Sequence, residues 1–202
     1  MKIICIGRNY ADHAKELNNA LPSEPVFFCK PDSAILPKGN PFFLPDWSHE
    51  IHYEVELVLR ICRLGKHIQP EFAHRYYDGI GLGIDFTARD IQEEQKSKGL
   101  PWEKAKAFDG SAVIGEKFFA PGELSLPIHF SLERDQRLLQ SADSSQMIFS
   151  FDQIIAHVSR FMTLKIGDLI FTGTPAGVGA ALKDDVLIGK IEGQEIFSLR
   201  VK

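Results

Sequence analysis

In two stretches of this chain, side chains of two kinds alternate from one residue to the next, as they do on the two faces of a β-strand. In each stretch the acidic side chains fall on one face. The first run, HYEVELVLRI at 52–61, predicts a strand whose alternate side chains share a face. Glu54 and Glu56 then point the same way, and the opposite face carries Tyr53, Val55, Leu57 and Leu59. Most such pairs belong to a solvated face, but the rest of this strand is apolar.

The second run, GIGLGID at 79–85, ends in a third carboxylate, Asp85. Alternation places this aspartate on the face of the three glycines, where the absence of side chains lets another group approach closely. Three crowded carboxylates repel one another and need a partner, and a hard divalent cation with oxygen ligands meets that need. The pattern therefore indicates a metal site at Glu54, Glu56 and Asp85, with a solvated strand face as the alternative.

Length and charge limit the classes of protein to consider. The 202 residues suit one domain over 1–202, and a net charge of -4 without a basic stripe argues against nucleic acid as a partner. Neither a signal peptide nor a stretch that spans a membrane is visible, so we expect a cytoplasmic protein that does not bind membranes. Cys5, Cys29 and Cys62 are widely spaced among apolar residues, which predicts buried, reduced thiols.

The remaining periodicity predicts an α+β protein that is mainly β, with a few short helices. Predicted strands cover 2–7, a stretch within 25–31, 51–62, 79–86 and the alternating parts of 164–173 and 184–201, with a hairpin turn at 193–194. Predicted helices cover 10–17, 88–98 and 151–163. We expect Asn9 and Thr87 to cap the first two helices. The third should bury the stripe of Ile154, Ile155, Val158, Phe161 and Met162.

Several other motifs could carry chemistry. His13 and Glu16 lie three apart on a predicted helix, where a carboxylate can orient an imidazole for proton transfer, although a surface ion pair is the simpler interpretation. The spacing in HEIH at 49–52 does not match a zinc protease. His52 is therefore expected at a strand edge, or next to a metal-binding residue without binding the metal itself. The loop TGTPAGVG at 172–179 lacks the lysine of a phosphate-binding loop but could hold a substrate carboxylate, or form a simple turn.

Six separated motifs, in this order, resemble the fumarylacetoacetate hydrolase family. They are GRNYADHAKE, the Glu-x-Glu of HYEVEL, GIDFTARDIQ, KGLPW, KAFD and TGTPAGVG. The resemblance extends from Ile6 to Val201 and is closest to short members that act as acylpyruvases, oxaloacetate decarboxylases or tautomerases. It implies a β-rich roll around a metal pocket, assembled as a homodimer.

The resemblance also implies a role for individual residues. Glu54, Glu56 and Asp85 match the family's ligands for Mg²⁺ or Mn²⁺. His13 and Glu16 match an acid/base pair on a segment, about 8–22, that orders as a lid over bound ligand. Lys106 matches the active-site lysine, and the positions on the substrate side are Arg8, Arg89, Gln92 and Thr174.

By the same resemblance, the protein is expected to act on 2-oxo or 2,4-dioxo acids through an enolate stabilised by the metal. Hydrolysis of a carbon–carbon bond in acylpyruvates, such as fumarylpyruvate or acetylpyruvate, is the first expectation. Oxaloacetate decarboxylation, tautomerisation or a 2-hydroxymuconate-type isomerisation is the alternative, and a silent 2-oxo acid binding module is another. The loop after Lys106 reads FDGSAVIGE and departs from the proline-bearing sequence of relatives.

Overall fold

The computed structural model describes residues 1–16 and 20–202, and strands outnumber helices in them. The strands are β1 Ile3–Gly7, β2 Val26–Lys30, β3 Ile51–Tyr53, β4 Val55–Ile61, β5 Tyr77–Asp85, β6 Thr87–Ala88, β7 Ala112–Ile114, β8 His129–Arg134, β9 Arg137–Asp143, β10 Leu169–Phe171, β11 Gly179–Ala180, β12 Val186–Ile191 and β13 Gln194–Arg200. The α-helices are α1 Ala11–Glu16, α2 Pro70–Ala73, α3 Arg89–Lys98, α4 Glu103–Lys106 and α5 Phe151–Phe161. The mainly β, α+β class is therefore confirmed.

A six-stranded sheet in the order β2-β1-β10-β4-β5-β7 forms the centre of the molecule. Strand β1 runs parallel to β10, and the other neighbouring strands in this sheet are antiparallel. Strand β4 pairs on both sides, with Leu57 opposite Leu82 and Val58 opposite Phe171. The apolar side chains of β4 are buried on both faces, because Leu57 and Leu59 pack in one hydrophobic cluster and Val58 packs in a second one.

Two smaller sheets complete the fold, in the orders β11-β3-β6 and β13-β12-β8-β9. The β12–β13 hairpin turns at Glu192 and Gly193, both with positive φ, one residue earlier than the sequence predicts. The β8–β9 hairpin turns at Asp135 and Gln136 in the same way, and the sequence analysis missed it. Two consecutive left-handed residues match the twist of a tight hairpin.

The glycine face of β5 is filled by aromatic side chains of the protein itself. A Cβ atom added at Gly81 would lie 2.8 Å from the Phe118 ring, and one at Gly83 would lie 2.7 Å from the Phe171 ring. The predicted close approach is confirmed, but these neighbours belong to the packed interior. Only the Asp85 end of the face is left for a site.

Both predicted side-chain caps are wrong. Asn9 donates from Nδ2 to the carbonyl oxygens of Phe149 and Thr172, at 3.1 and 2.8 Å. Thr87 donates to the Asp85 carbonyl at 3.3 Å and accepts from Lys106, while Ala88 occupies the cap position of α3. Neither side chain caps a helix: Asn9 bonds to distant parts of the chain, and Thr87 bonds to the nearby Asp85 carbonyl and to the distant Lys106.

Helix α5 buries Ile154, Ile155 and Val158, as predicted. It begins with a capping box of Ser150 and Gln153 that was not predicted. The predicted end of its apolar stripe is wrong, because Phe161 is 56% exposed and Met162 lies beyond the helix. Among the described helices, none is both long and apolar enough to cross a membrane.

The described cysteines are free thiols, as predicted. Cys5 is completely buried, and burial raises the pKa of its thiol well above the ordinary value. Cys29 and Cys62 are only half-buried, so the prediction of burial is wrong for these two.

Candidate active site

Glu54, Glu56 and Asp85 meet where β4 starts and β5 ends. Glu54 lies in the one-residue gap between β3 and β4, and its carbonyl accepts a 2.8 Å hydrogen bond from the Asp85 backbone N–H. The three side chains are buried, and a carboxylate oxygen from each lies within 4.8 Å of the others. The predicted clustering is therefore observed, and it results from the antiparallel pairing of β4 with β5.

Lys106 bridges two of these carboxylates. It closes the short helix α4, and its Nζ atom donates to Glu54 Oε2 at 2.7 Å and to Asp85 Oδ2 at 2.9 Å. A third hydrogen bond goes to the Thr87 hydroxyl. Lys106 is one of several lysines in this part of the sequence, and it is the one whose ammonium lies in the carboxylate cluster.

Lys30 is a site residue that the sequence analysis missed. It ends β2 and is 1% exposed, and its Nζ atom lies 2.7 Å from Asp85 Oδ1. Its hydrogen bonds go to the Lys106 carbonyl and to the Ser111 hydroxyl, the latter at 2.9 Å. A lysine at the end of an otherwise apolar strand was the available signal, because a buried lysine needs a charged partner.

Arg89 and Gln92 lie on the face of α3 that is directed toward the carboxylates. The Arg89 guanidinium pairs with Glu54 Oε1 and donates to Gln92 Oε1, and its Nε donates to His52 Nδ1 at 3.3 Å. His52 in turn contacts Glu50 Oε1 at 2.9 Å. As predicted, His52 lies behind the site rather than in it. Burial, followed by the charge of Arg89, lowers its pKa.

The pKa values of Glu54 and Glu56 shift in opposite directions. Burial raises the pKa of Glu54, but the charges of Lys106 and Arg89 outweigh burial and hold that pKa well below its ordinary value. The pKa of Glu56 is raised well above its ordinary value by burial and by the charges of Asp85 and Glu54. Burial lowers the pKa of Lys106, and the charges of Asp85 and Glu54 reverse this and raise it overall. The negative charge of Glu56 is thus less well compensated by neighbouring cations than that of Glu54.

His13 and Glu16 form the predicted pair on α1. His13 Nδ1 lies 3.1 Å from Glu16 Oε2, and the imidazole is buried at the pocket. Glu16 Oε1 also accepts a 3.0 Å hydrogen bond from the Gly177 backbone N–H. Glu16 therefore orients the ring through one oxygen and joins α1 to the 172–179 loop through the other. Leu17, at the end of the predicted helix, lies outside the described residues.

The 172–179 loop contacts the carboxylate cluster directly. The Gly173 N–H donates to Glu56 Oε2 at 2.7 Å, and Gly173 has a φ of +102°. The Thr174 hydroxyl donates to the Val55 carbonyl at 3.0 Å and accepts from Gln140 Nε2 at 3.0 Å. The loop thus orients Glu56, a candidate metal ligand, and places Thr174 at the pocket wall.

One pocket brings together all the site residues named from the sequence except Glu16, which contacts it through His13. Four side chains of its wall were not predicted as site residues: Ile6, Phe28, Lys96 and Trp102. The rings of Phe28 and Trp102 pack edge to face, with centroids 5.8 Å apart. The motif KGLPW contained Trp102 but gave no role for it.

The carboxylate cluster fits a divalent cation. All three donors are carboxylates, a set that suits hard cations such as Mg²⁺ and Mn²⁺. Asp85 Oδ1 is buried and accepts no aligned hydrogen bond from the described residues, although Lys30 lies near it. A carboxylate oxygen has two lone pairs, so Asp85 Oδ1 can bind a cation in addition to contacting Lys30.

Comparison with known proteins gives close relatives over almost the whole chain. The family model described as fumarylacetoacetate (FAA) hydrolase, C-terminal, matches residues 2–197. The chain is 43% identical to the mitochondrial oxaloacetate tautomerase FAHD1 of Rattus norvegicus over 204 residues, which cover 99% of this chain and 90% of the relative. It is 37% identical to the oxaloacetate tautomerase YcgM of Escherichia coli strain K12 over 199 residues, covering 96% of this chain and 90% of that protein.

A solved structure shares the fold and carries ligands. The fumarylpyruvate hydrolase from Pseudomonas aeruginosa, in complex with Mn2+ and pyruvate, superimposes with a TM-score of 0.92 at 38% identity. The match covers 100% of this chain and 89% of that one. Sequence and structure agree, and the chain belongs to the fumarylacetoacetate hydrolase family.

Proposed function

We propose that this protein is a divalent-metal-dependent enzyme that interconverts the keto and enol forms of oxaloacetate. The observation that carries the proposal is that the carboxylate cluster and the His13–Glu16 pair contact the same pocket. Oxaloacetate is chosen because FAHD1 and YcgM, the relatives at 43% and 37% identity, are oxaloacetate tautomerases.

The chain's own residues supply the proton transfer. Glu16 holds His13 through Nδ1, which leaves Nε2 to take a proton from C3 of the keto form or return it, while the oxygen of the enol exchanges its proton with solvent. Lys106 is a buried cation that favours negative charge developing on the substrate. A Mg²⁺ or Mn²⁺ ion held by Glu54, Glu56 and Asp85 would supply a Lewis acid for the keto oxygen.

Substrate orientation is assigned to Arg8, Arg89, Gln92 and Thr174. The Arg89 guanidinium already donates a hydrogen bond to Glu54 Oε1, so its main contribution is to hold that carboxylate in place. Gln92 accepts from Arg89 through Oε1, which leaves its NH₂ group as a donor toward the pocket. We also propose that the segment at about 8–22, of which 17–19 lie outside the described residues, is a lid, because Glu16 joins α1 to the loop at Gly177.

Hydrolysis of acylpyruvates is the second candidate. The hydrogen-bonded imidazole and carboxylate are suited to activating water, and the P. aeruginosa relative is a fumarylpyruvate hydrolase. Decarboxylation of oxaloacetate is the least demanding alternative, because it requires a Lewis acid but no base. A silent binding module is disfavoured, because binding alone does not require His13, Glu16 and Lys106 together.

The test is a comparison of three reactions on one purified preparation with Mg²⁺. Tautomerisation and decarboxylation of oxaloacetate and cleavage of an acylpyruvate are measured side by side. We expect tautomerisation to be fastest and to be lost when EDTA removes the cation. Faster acylpyruvate cleavage would favour the second candidate, and oxalate binding without any turnover would favour the binding module. The homodimer stays a prediction that light scattering would test.

A further inference from the structure

Helix α3 directs a third side chain toward the pocket besides Arg89 and Gln92. Lys96 follows these residues at the spacing that keeps side chains on one helical face, and it contributes to the pocket wall. It is half-buried, whereas Lys98, two residues later, is exposed and pairs with Glu94. Lys96 is therefore a pocket residue and not part of the solvated face.

The cations inside the cluster are already paired. Lys30 contacts Asp85, Arg89 contacts Glu54, and Lys106 contacts both of these carboxylates. Three carboxylates thus face three cations, and this part of the pocket is close to neutral before any divalent cation is counted.

Arg8 and Lys96 add positive charge to the same pocket wall without a matching carboxylate. In residues 1–16 and 20–202, neither side chain has a carboxylate oxygen within salt-bridge distance. Arg8 follows β1 in a left-handed conformation with a φ of +59°. Burial, followed by the charges of Arg8 and Arg89, lowers the pKa of Lys96, and the more weakly acting carboxylates of Glu93 and Glu54 do not reverse this.

We propose that Arg8 and Lys96 form an anion subsite that binds the distal carboxylate of a dicarboxylic 2-oxo acid. The inference rests on the proposed function, which assigns the 2-oxo acid end of the substrate to the carboxylate cluster. Partly desolvated cations gain charge-assisted hydrogen bonds when a carboxylate arrives. Dicarboxylates such as oxaloacetate or fumarylpyruvate would therefore be preferred over monocarboxylates such as acetylpyruvate.

Two acids of equal chain length isolate the distal carboxylate. The protein with Mg²⁺ is titrated calorimetrically with 2-oxoglutarate and with 2-oxopentanoate, which ends in a methyl group instead. The variants are Lys96→Met and Arg8→Met, and Lys98→Met is the matched control on the same helix. The KM for oxaloacetate is measured in parallel.

We expect the wild-type protein to bind 2-oxoglutarate at least about tenfold more tightly, the equivalent of one charge-assisted contact. Lys96→Met should remove most of this preference and raise the KM for oxaloacetate, while leaving 2-oxopentanoate binding within about twofold. Arg8→Met should act in the same direction, and Lys98→Met should match wild type. Equal affinity of wild type for the two acids, or equal weakening of both in Lys96→Met, would overturn the subsite alone. Failure of wild type to bind either acid would overturn the subsite and the proposed function together.

Discussion

The Nζ atom of Lys106 lies 2.7 Å from Glu54 Oε2, inside a cluster that also fits a divalent cation. The same ammonium donates to Asp85 Oδ2 at 2.9 Å. Lys106 therefore compensates carboxylates that a cation would also bind, so protein stability and cation affinity are coupled at this residue.

Replacing Lys106 by Met should destabilise the metal-free protein, because Glu54 and Asp85 lose a buried partner. Breaking a buried ion pair from one side costs about 3–5 kcal/mol. Mg²⁺ should restore more stability to Lys106→Met than to wild type, because the cation then supplies the missing positive charge. Urea unfolding in EDTA and in Mg²⁺ measures both effects. Lys104→Met, on the exposed side of the same helix, is the control, and an equal response of both proteins to Mg²⁺ would contradict the coupling.

Glu56→Gln should weaken cation binding while stabilising the metal-free protein at neutral pH. The pKa of Glu56 is raised by burial and by Asp85 and Glu54, so its ionised form is unfavourable in the fold. A raised folded-state pKa contributes stability below the ordinary value of 4.5, and this stability is lost as pH rises through the folded value. Glu56→Gln lacks that loss, because glutamine does not ionise.

The measurements are unfolding in EDTA from pH 5 to 8 and calorimetric titration with Mn²⁺. Glu71→Gln, at an exposed position, controls for the change in net charge. A metal-free Glu56→Gln protein less stable than wild type across this range would show that the Gly173 hydrogen bond outweighs the repulsion.

His13→Ala should keep the fold and cation affinity and lose about 10²–10⁴-fold in kcat, the usual contribution of a general base. Glu16→Gln should lose less, because a glutamine oxygen can still accept from Gly177, while the carboxylate that holds the His13 ring through Nδ1 is replaced by a neutral amide. Tautomerisation rates, with Mn²⁺ titration alongside, separate catalysis from binding. Lys15→Ala, at an exposed neighbouring position, should behave as wild type. A His13→Ala protein with undiminished activity would exclude the imidazole as the base.

The sequence predicts the carboxylate cluster because its cause is mostly local. Strand alternation puts Glu54 and Glu56 on one face, and Asp85 joins them because β5 is the neighbour of β4 in both the chain and the sheet. The three-residue spacing of His13 and Glu16 was a weak local signal, whereas Lys106 was named only through the resemblance to a known family.

Residues that reach the site through tertiary structure were not predictable in this way. Lys30 ends a strand at the sheet edge, 55 positions before Asp85, and their contact depends on the curvature of the sheets. Asn9 and Thr87 are residue types that often cap helices, and each precedes a predicted helix. Their side chains instead bond to residues far away in the sequence, Thr172 and Lys106 respectively. Gln140 lies on the hairpin that sequence analysis missed, so its role had no sequence signal.

Gln140 should position the site without contacting substrate. It is 1% exposed; Oε1 accepts from the Val55 N–H at 3.0 Å, and Nε2 donates to the Thr174 hydroxyl and the Pro175 carbonyl. Val55 separates the two glutamates, so this one amide connects the ligand strand to the 172–179 loop. Gln140→Met keeps the volume but leaves these buried groups without a partner, which should cost about 2–4 kcal/mol.

If the amide also sets the geometry of the site, Gln140→Met should lower Mn²⁺ affinity and raise the KM for oxaloacetate in protein that is still folded. Unfolding, Mn²⁺ titration and steady-state kinetics are compared with those of Gln146→Met, an exposed substitution of the same kind. Reduced stability with unchanged Mn²⁺ affinity and KM would limit Gln140 to a structural role. Reduced stability together with weaker Mn²⁺ binding would show that the hairpin helps to align Glu54 and Glu56, because Val55 is the only residue between them.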